Sequence, residues 1–170
     1  MTGRPHTVRA ATMSDQGPLS VLLRASYGWM LLDRYNADTV AGVLPELAKP
    51  DTGLINSRQY YVATNEQGNL IGAGGWSWGN PVTGDLEHGK AHIRQFATHP
   101  TNFGKGVASA ILARVRQDAA AVKTLECRST VSAQGFFARH GFKPCGEVLQ
   151  RIAPHILMAT IRMTRDRSGI

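Results

Sequence analysis

A strand-like run that stops near Thr98 leads through His99 and Pro100 into Phe103-Gly104-Lys105-Gly106-Val107-Ala108, which opens the clearest amphipathic helix in the chain. Val107, Ala108, Ile111, Leu112 and Val115 recur at helical intervals from Gly104 to about Ala120, so the glycines mark a strand-to-helix turn. Glycine lets the backbone turn tightly and approach a ligand closely, and the unpaired amides of a helix start favour an anion, with Lys105 adding charge beside it. The same glycines also suffice as a plain bend. A Walker loop is excluded, because Gly106 stands where Ser or Thr must follow the lysine. A dinucleotide fingerprint needs Gly or Ala at Ser109 and an acidic residue about 20 positions on. Glu126 falls near that distance, but an antiparallel hairpin upstream counts against it.

That hairpin is formed by β-rich runs from Tyr60 to Thr64 and from Leu70 to Trp78, joined by the turn-forming Asn65-Glu66-Gln67-Gly68-Asn69. Before it, Thr7 to Thr12 reads as a strand, Ser14 as a helix cap, and Leu19, Leu22 and Leu23 as one helical face. Tyr27 to Leu32 is expected between this helix and a second one, capped by Asn36 and carrying Val40, Val43, Leu44 and Leu47. After the hairpin come a loop from Gly79 to Gly89 and a strand from Lys90 to Thr98. Beyond the long helix lie a strand from Thr124 to Arg128 and a short helix on Ala133, Phe136, Phe137 and His140, ended by Gly141. Phe142 to Leu149 and His155 to Met163 close the order as a strand pair. This succession predicts an α/β fold with a mixed, mostly antiparallel sheet of about six to seven strands, flanked by about four helices.

Length and content, 170 residues and 42% hydrophobic, suit one domain over residues 1–170 with its core at about 7–164. No stretch approaches the roughly 20 apolar residues of a membrane span, and Met1 to His6 lacks the apolar block of a secretory signal, so a cytoplasmic location is expected. Cys127 and Cys145 lack Cys-x-x-Cys spacing, and the histidines form no compact ligand set, so no metal is expected. The formal charge of +7, scattered from Arg4 to Arg167, is compatible with nucleic acid, an anionic membrane or a small anionic ligand and does not choose among them; nucleic-acid binding is not expected without a recognition motif.

Two motifs together resemble the Gcn5-related N-acetyltransferase (GNAT) superfamily. The first is Phe103-Gly104-Lys105-Gly106-Val107-Ala108, similar to Gln/Arg-x-x-Gly-x-Gly/Ala with Phe103 in place of the usual first residue. The second is Phe136-Phe137-Ala138-Arg139-His140-Gly141-Phe142, which resembles Phe-Tyr-x-x-x-Gly-Phe. Ala91 to Pro100 is also similar to the strand that enters the motif in many bacterial members. The resemblance implies acetyl-CoA as donor and a small-molecule or peptide amine as acceptor. It places the pantetheine arm along the backbone of Phe96, Ala97 and Thr98, and the pyrophosphate on Phe103, Gly104, Lys105, Gly106, Val107, Ala108 and Ser109. Ser132, Phe136 and Arg139 would lie along the far side of coenzyme A. Dimers are common in the family, and the strand His155 to Met163 is a candidate homodimer interface.

Acyl transfer to an amine needs a neutral amine, a stabilised oxyanion and a departing thiolate. His92 falls where some family members place a glutamate base, and histidine titrates in the right range. Alternation places His92, Arg94, Phe96 and Thr98 on one face, with Glu87 and His88 as secondary base candidates. The amide of Ala97 or Phe96 is the expected oxyanion donor. Phe137 occupies the position of the family's tyrosine acid, leaving Tyr27, Tyr60, Ser132 and Cys145 as substitutes. Trp29, Trp76, Trp78 and Arg94 are the expected acceptor-binding residues, suited to an amine with an apolar portion. Phe103 and Phe137 also suit a second function class, a CoA-binding or interaction module with little catalysis.

Overall fold

Seven strands join into one sheet in the computed structural model, which describes residues 6–167. They are β1 (Thr7–Ala10), β2 (Tyr60–Thr64), β3 (Leu70–Ser77), β4 (Lys90–Thr98), β5 (Thr124–Ser129), β6 (Lys143–Ala153) and β7 (Ile156–Asp166). Their spatial order is β1-β2-β3-β4-β5-β7-β6, and only the β4–β5 pair is parallel. The helices are α1 (Gln16–Leu32), α2 (Ala37–Leu47), α3 (Thr52–Asn56), α4 (Val107–Asp118) and α5 (Gln134–Arg139).

Alternation along the strands divides the core between the two faces. Tyr61, Ala63, Ile93 and Cys127 pack with Val107, Ile111 and Leu112 of α4 and with Phe137 of α5. Tyr60, Val62 and Ala73 pack with Leu19 and Leu22 of α1 and with Leu54 and Ile55 of α3. Ala97 meets Leu23 and Tyr27 of α1 and Val40 and Val43 of α2. The glycines at the centre of β3 permit this closeness, since a Cβ at Gly72 would strike Val107 and Ile111. Asn36 caps α2 as expected, accepting from the amide of Thr39 at 2.8 Å.

The fold departs from the sequence reading in three places. Tyr27 to Leu32 does not separate two helices; it is the second half of α1, because Ser26, Tyr27 and Leu31 continue the buried face begun by Leu19, Leu22 and Leu23. The short helix α3 was not anticipated, although Asp51 caps it by accepting from the amide of Leu54 at 2.9 Å. Finally, Ser14 does not cap the first helix. The chain enters through a turn at Met13–Asp15, preceded by Thr12.

In that turn Asp15 accepts from the amide of Thr12 at 2.8 Å and is gripped by Arg9 through bonds of 2.8 and 2.9 Å. The Arg9 guanidinium holds the buried carboxyl below its ordinary range, outweighing the opposing effect of burial. Asp15→Asn should therefore cost about 1–2 kcal/mol at pH 7 in urea unfolding. A carboxylate with a depressed folded pKa stabilises above its unfolded value of about 3.9 and loses that contribution as pH falls through the folded value. The gap between wild type and variant should accordingly shrink as pH falls below about 3.9; a gap independent of pH would contradict the ionic role.

Candidate active site

Only three parallel rungs hold β4 to β5: Lys90↔Thr124, Ala91↔Leu125 and His92↔Glu126. Beyond them the strands part, and a cleft of about 940 Å³ opens between Ile93 to Thr98 and Cys127 to Thr130. The break coincides with an irregularity in β4. Ala97 pairs with Ala73 and Arg94 with Gly75, so Gln95 and Phe96 share the single partner position at Gly74. Gln95 takes φ +46°, uncommon for a residue with a side chain. Two bonds pin it there: its side-chain oxygen accepts from the amide of Asp51 at 3.0 Å, and its amide group donates to the carbonyl of Lys49 at 2.7 Å. Gly74 is required opposite, where a Cβ would fall 2.5 Å from the Phe96 ring.

This bulge corrects the expected alternation. His92 and Arg94 face the α1 and α3 side, whereas Phe96 turns to the other face and meets Phe137 at 6.0 Å between ring centroids. It also assigns the peptide groups. The ladder turns those of Ala97 towards β3, so Ala97 does not offer an amide to the cleft, and the Phe96 carbonyl and the Thr98 amide point into the gap. Two α1 side chains meet them there: the Tyr27 hydroxyl donates to the Phe96 carbonyl at 3.0 Å, and the Thr98 amide donates to Ser26 Oγ at 3.1 Å.

At the wide end, Gly104 and Gly106 take φ +74° and +80°, and a Cβ on either would meet no protein atom within 4 Å. The first α-helical bond of α4 runs from the Ala110 amide to the Gly106 carbonyl, leaving the amides of Val107, Ala108 and Ser109 without helical acceptors. Phe103, Gly104, Gly106, Val107, Ala108 and Ser109 all line the cleft, as do Ser132, Phe136 and Arg139. Ser132 is partly committed, donating to the Met30 carbonyl at 2.8 Å, and Ser109 Oγ lies 3.0 Å from His140 Nε2. Lys105 is exposed beside the turn rather than part of the lining. Open glycine positions next to free helix-start amides fit a pyrophosphate.

The other sequence candidates are less well gathered. His92 is only 2% exposed and lies one rung below the narrow end, outside the cleft lining. Its Nδ1 is 3.8 Å from Glu126, and its buried Nε2 has no partner among the described residues. Burial pushes its pKa below the usual histidine value, against the pull of Glu126. Glu126 is itself buried and bound to Arg162 at 2.9 Å and to Lys90 at 3.4 Å; these cations hold its pKa below the ordinary value although desolvation, the largest influence, opposes them. Glu87 sits at the surface in an ion pair with Lys90 at 2.8 Å, away from the cleft. Arg94 is engaged with Asp51 and with Ser77 Oγ. Trp76 belongs to the core, with its indole N–H on the Tyr61 hydroxyl, and Trp78 packs edge-on against it at 5.5 Å. Trp29 alone of the three tryptophans lines the cleft, 65% exposed. Phe137 is buried among Phe96, Phe136 and Phe142. Sequence reasoning missed Ser26, Arg128 and the bulge at Gln95; an apolar helix face and a β-rich run carry no local sign of them.

The acetyltransferase (GNAT) domain family matches residues 56–144, a little over half of the chain. No curated protein matches the sequence. Among solved structures, a GCN5-related N-acetyltransferase from Rhodopseudomonas palustris superposes with a TM-score of 0.75 at 19% identity, covering 98% of each chain. The PaiA N-acetyltransferase of Thermoplasma acidophilum in complex with coenzyme A gives 0.69 at 14% identity, over 98% of this chain and 99% of that one. A GNAT-family acetyltransferase from Staphylococcus aureus gives 0.68 at 15% identity, over 95% and 98%. These likenesses establish the fold.

The His92–Glu126 rung makes a prediction at the level of the free protein. In a histidine proton-NMR titration His92 should titrate below about 6.5, and Glu126→Gln, checked for fold by circular dichroism, should lower it further. A rise in the variant would mean that the carboxylate does not act on this ring.

Proposed function

The chain belongs to the GNAT acetyltransferase family, and we propose that it is a single-domain enzyme transferring an acetyl group from acetyl-CoA to a primary amine by direct attack in a ternary complex. The observation that carries this reading is the parting of β4 and β5 beside a turn whose glycines and helix-start amides face the same cleft. That combination suits a ligand with an extended polar arm and a pyrophosphate. The coenzyme A complex of the Thermoplasma relative supports the choice of ligand.

Acetyl-CoA supplies the thioester. The peptide groups of Phe96 and Thr98 hold its arm in the strand gap, taking over positions now met by Tyr27 and Ser26. Val107, Ala108 and Ser109 bind the pyrophosphate through their amides, with Lys105 adding charge from outside. The amide of Phe96 meets the developing oxyanion. An alkyl ammonium with a pKa of about 10.4 must lose a proton, and His92, kept neutral at pH 7 by burial, receives it through a water. Tyr27 carries the one phenol in the cleft lining, and burial raises its pKa well above the usual range, so it donates reluctantly. A thiolate of pKa about 8.5 departs without strong acid help.

Burial of His92 and the apolar Phe137 favour a second reading, a module that binds coenzyme A with little turnover. Turnover of acetyl-CoA across an amine panel separates the two; binding without acylation of any amine selects the second.

Calorimetry should detect acetyl-CoA binding to the wild type and none to a folded Gly106→Pro variant, because proline cannot adopt φ +80°. Absence of binding in the wild type would reduce the turn to a bend. For turnover, only neutral His92 accepts a proton and its pKa is lowered, so the acid limb of kcat/KM should lie below pH 6.5. His92→Gln should remove that limb and reduce kcat about 100-fold; an unchanged profile would take His92 out of the mechanism.

A further inference from the structure

Beyond the last β4–β5 rung, Arg128 follows Cys127 on β5 and lines the narrow part of the cleft. Its neighbours Arg162, Lys90 and Arg94 are each bonded to a carboxylate: Arg162 and Lys90 to Glu126, and Arg94 to Asp51. Arg128 has no ion pair and no side-chain hydrogen bond with any described residue, and its Nε is buried without a partner. A guanidinium cannot relieve this by deprotonating, so a buried N–H is left for an acceptor that the protein does not provide.

Two further buried polar atoms lack partners on the same sheet face, the Tyr60 hydroxyl and His92 Nε2. Tyr60 pairs with Gly75 and Gly75 with Arg94, while Arg128 pairs with Arg162, so these residues lie in one row interrupted by the parting of β4 and β5. His92 lies one row below. Of these three groups Arg128 lines the cleft itself, at its narrow part, whereas the anion turn at Gly104–Gly106 stands at its wide end.

From this placement we infer that Arg128 anchors a carboxylate of the acyl acceptor, making the acceptor class a small amino acid or similar amine with a free carboxylate. The inference rests on the acetyltransferase reading and names the substrate of that same cleft. A guanidinium matches a carboxylate with two parallel N–H bonds. Trp29 and Leu32, both exposed on the cleft wall, leave room for an apolar side chain. A phosphate of coenzyme A is the other anion that could reach Arg128, and the turn at the wide end already accounts for the pyrophosphate.

The test pairs amines with and without the carboxylate: phenylalanine with phenethylamine, tryptophan with tryptamine, and lysine with cadaverine. Wild type should acetylate the carboxylate-bearing members with kcat/KM at least about 10-fold higher. Arg128→Gln should lose on the order of 10- to 100-fold on those members, leave the matched amines and the calorimetric affinity for coenzyme A unchanged, and be partly rescued by Arg128→Lys. Equal or better use of the decarboxylated amines would overturn the anchor while leaving acyl transfer intact. Weakened coenzyme A binding in folded Arg128→Gln would reassign the guanidinium to the cofactor. Bound acetyl-CoA with no amine acetylated would overturn the acetyltransferase reading and the anchor together.

Discussion

Everything at the candidate site depends on β4 and β5 pairing for three rungs and no further. Peptide groups on two parting strands cannot satisfy each other, and leaving them bare inside a protein costs free energy comparable to a lost hydrogen bond. The fold answers locally with side chains of α1, Ser26 on the Thr98 amide and Tyr27 on the Phe96 carbonyl. Such polar contacts can be exchanged for an extended ligand at little net cost, because one hydrogen bond replaces another. The gap thus combines a preformed shape with backbone groups available for recognition.

The bulge that accompanies the parting is not a passive defect. Gln95 is held in a left-handed conformation by bonds to the segment just before α3, and that segment also supplies Asp51, which caps α3 and engages Arg94. One short stretch of chain therefore fixes the bulge, the neighbouring arginine and a helix start. Across the gap, Glu126 gathers Arg162 and Lys90 beside His92. A carboxylate so enclosed remains ionised only because cations surround it, and its field acts on the histidine at the last rung.

Much of this was legible in the residues. The hairpin over Tyr60 to Trp78, the strand Lys90 to Thr98 and the glycine turn into α4 follow from strong periodicity and turn chemistry, and the structure has them there, the hairpin ending one residue earlier at Ser77. Helix α3 was harder, since five residues carry too little periodicity to stand out from a loop. The length of α1 was hidden by Gly28 and the aromatic residues around it, whose helical state follows from burial of Ser26, Tyr27 and Leu31 on one face rather than from propensity. Trp76 and Trp78 look alike in sequence as candidate ligand walls, yet one is core and the other its edge-on neighbour.

The sequence by itself determined the class of fold, the order of its strands and the glycine turn into α4, because each rests on local chemistry: apolar period, turn-forming residues and the φ freedom of Gly104 and Gly106. Only the tertiary structure decided which faces His92, Arg94, Phe96 and Thr98 present. One extra residue at Gln95 reverses the alternation, and it is stabilised by contacts some 45 positions away in the chain. It alone also decided that Arg128 lacks a counter-ion among the described residues while Arg162, Lys90 and Arg94 have one. The pairing of charges depends on which strands lie side by side, and no short stretch of sequence records that.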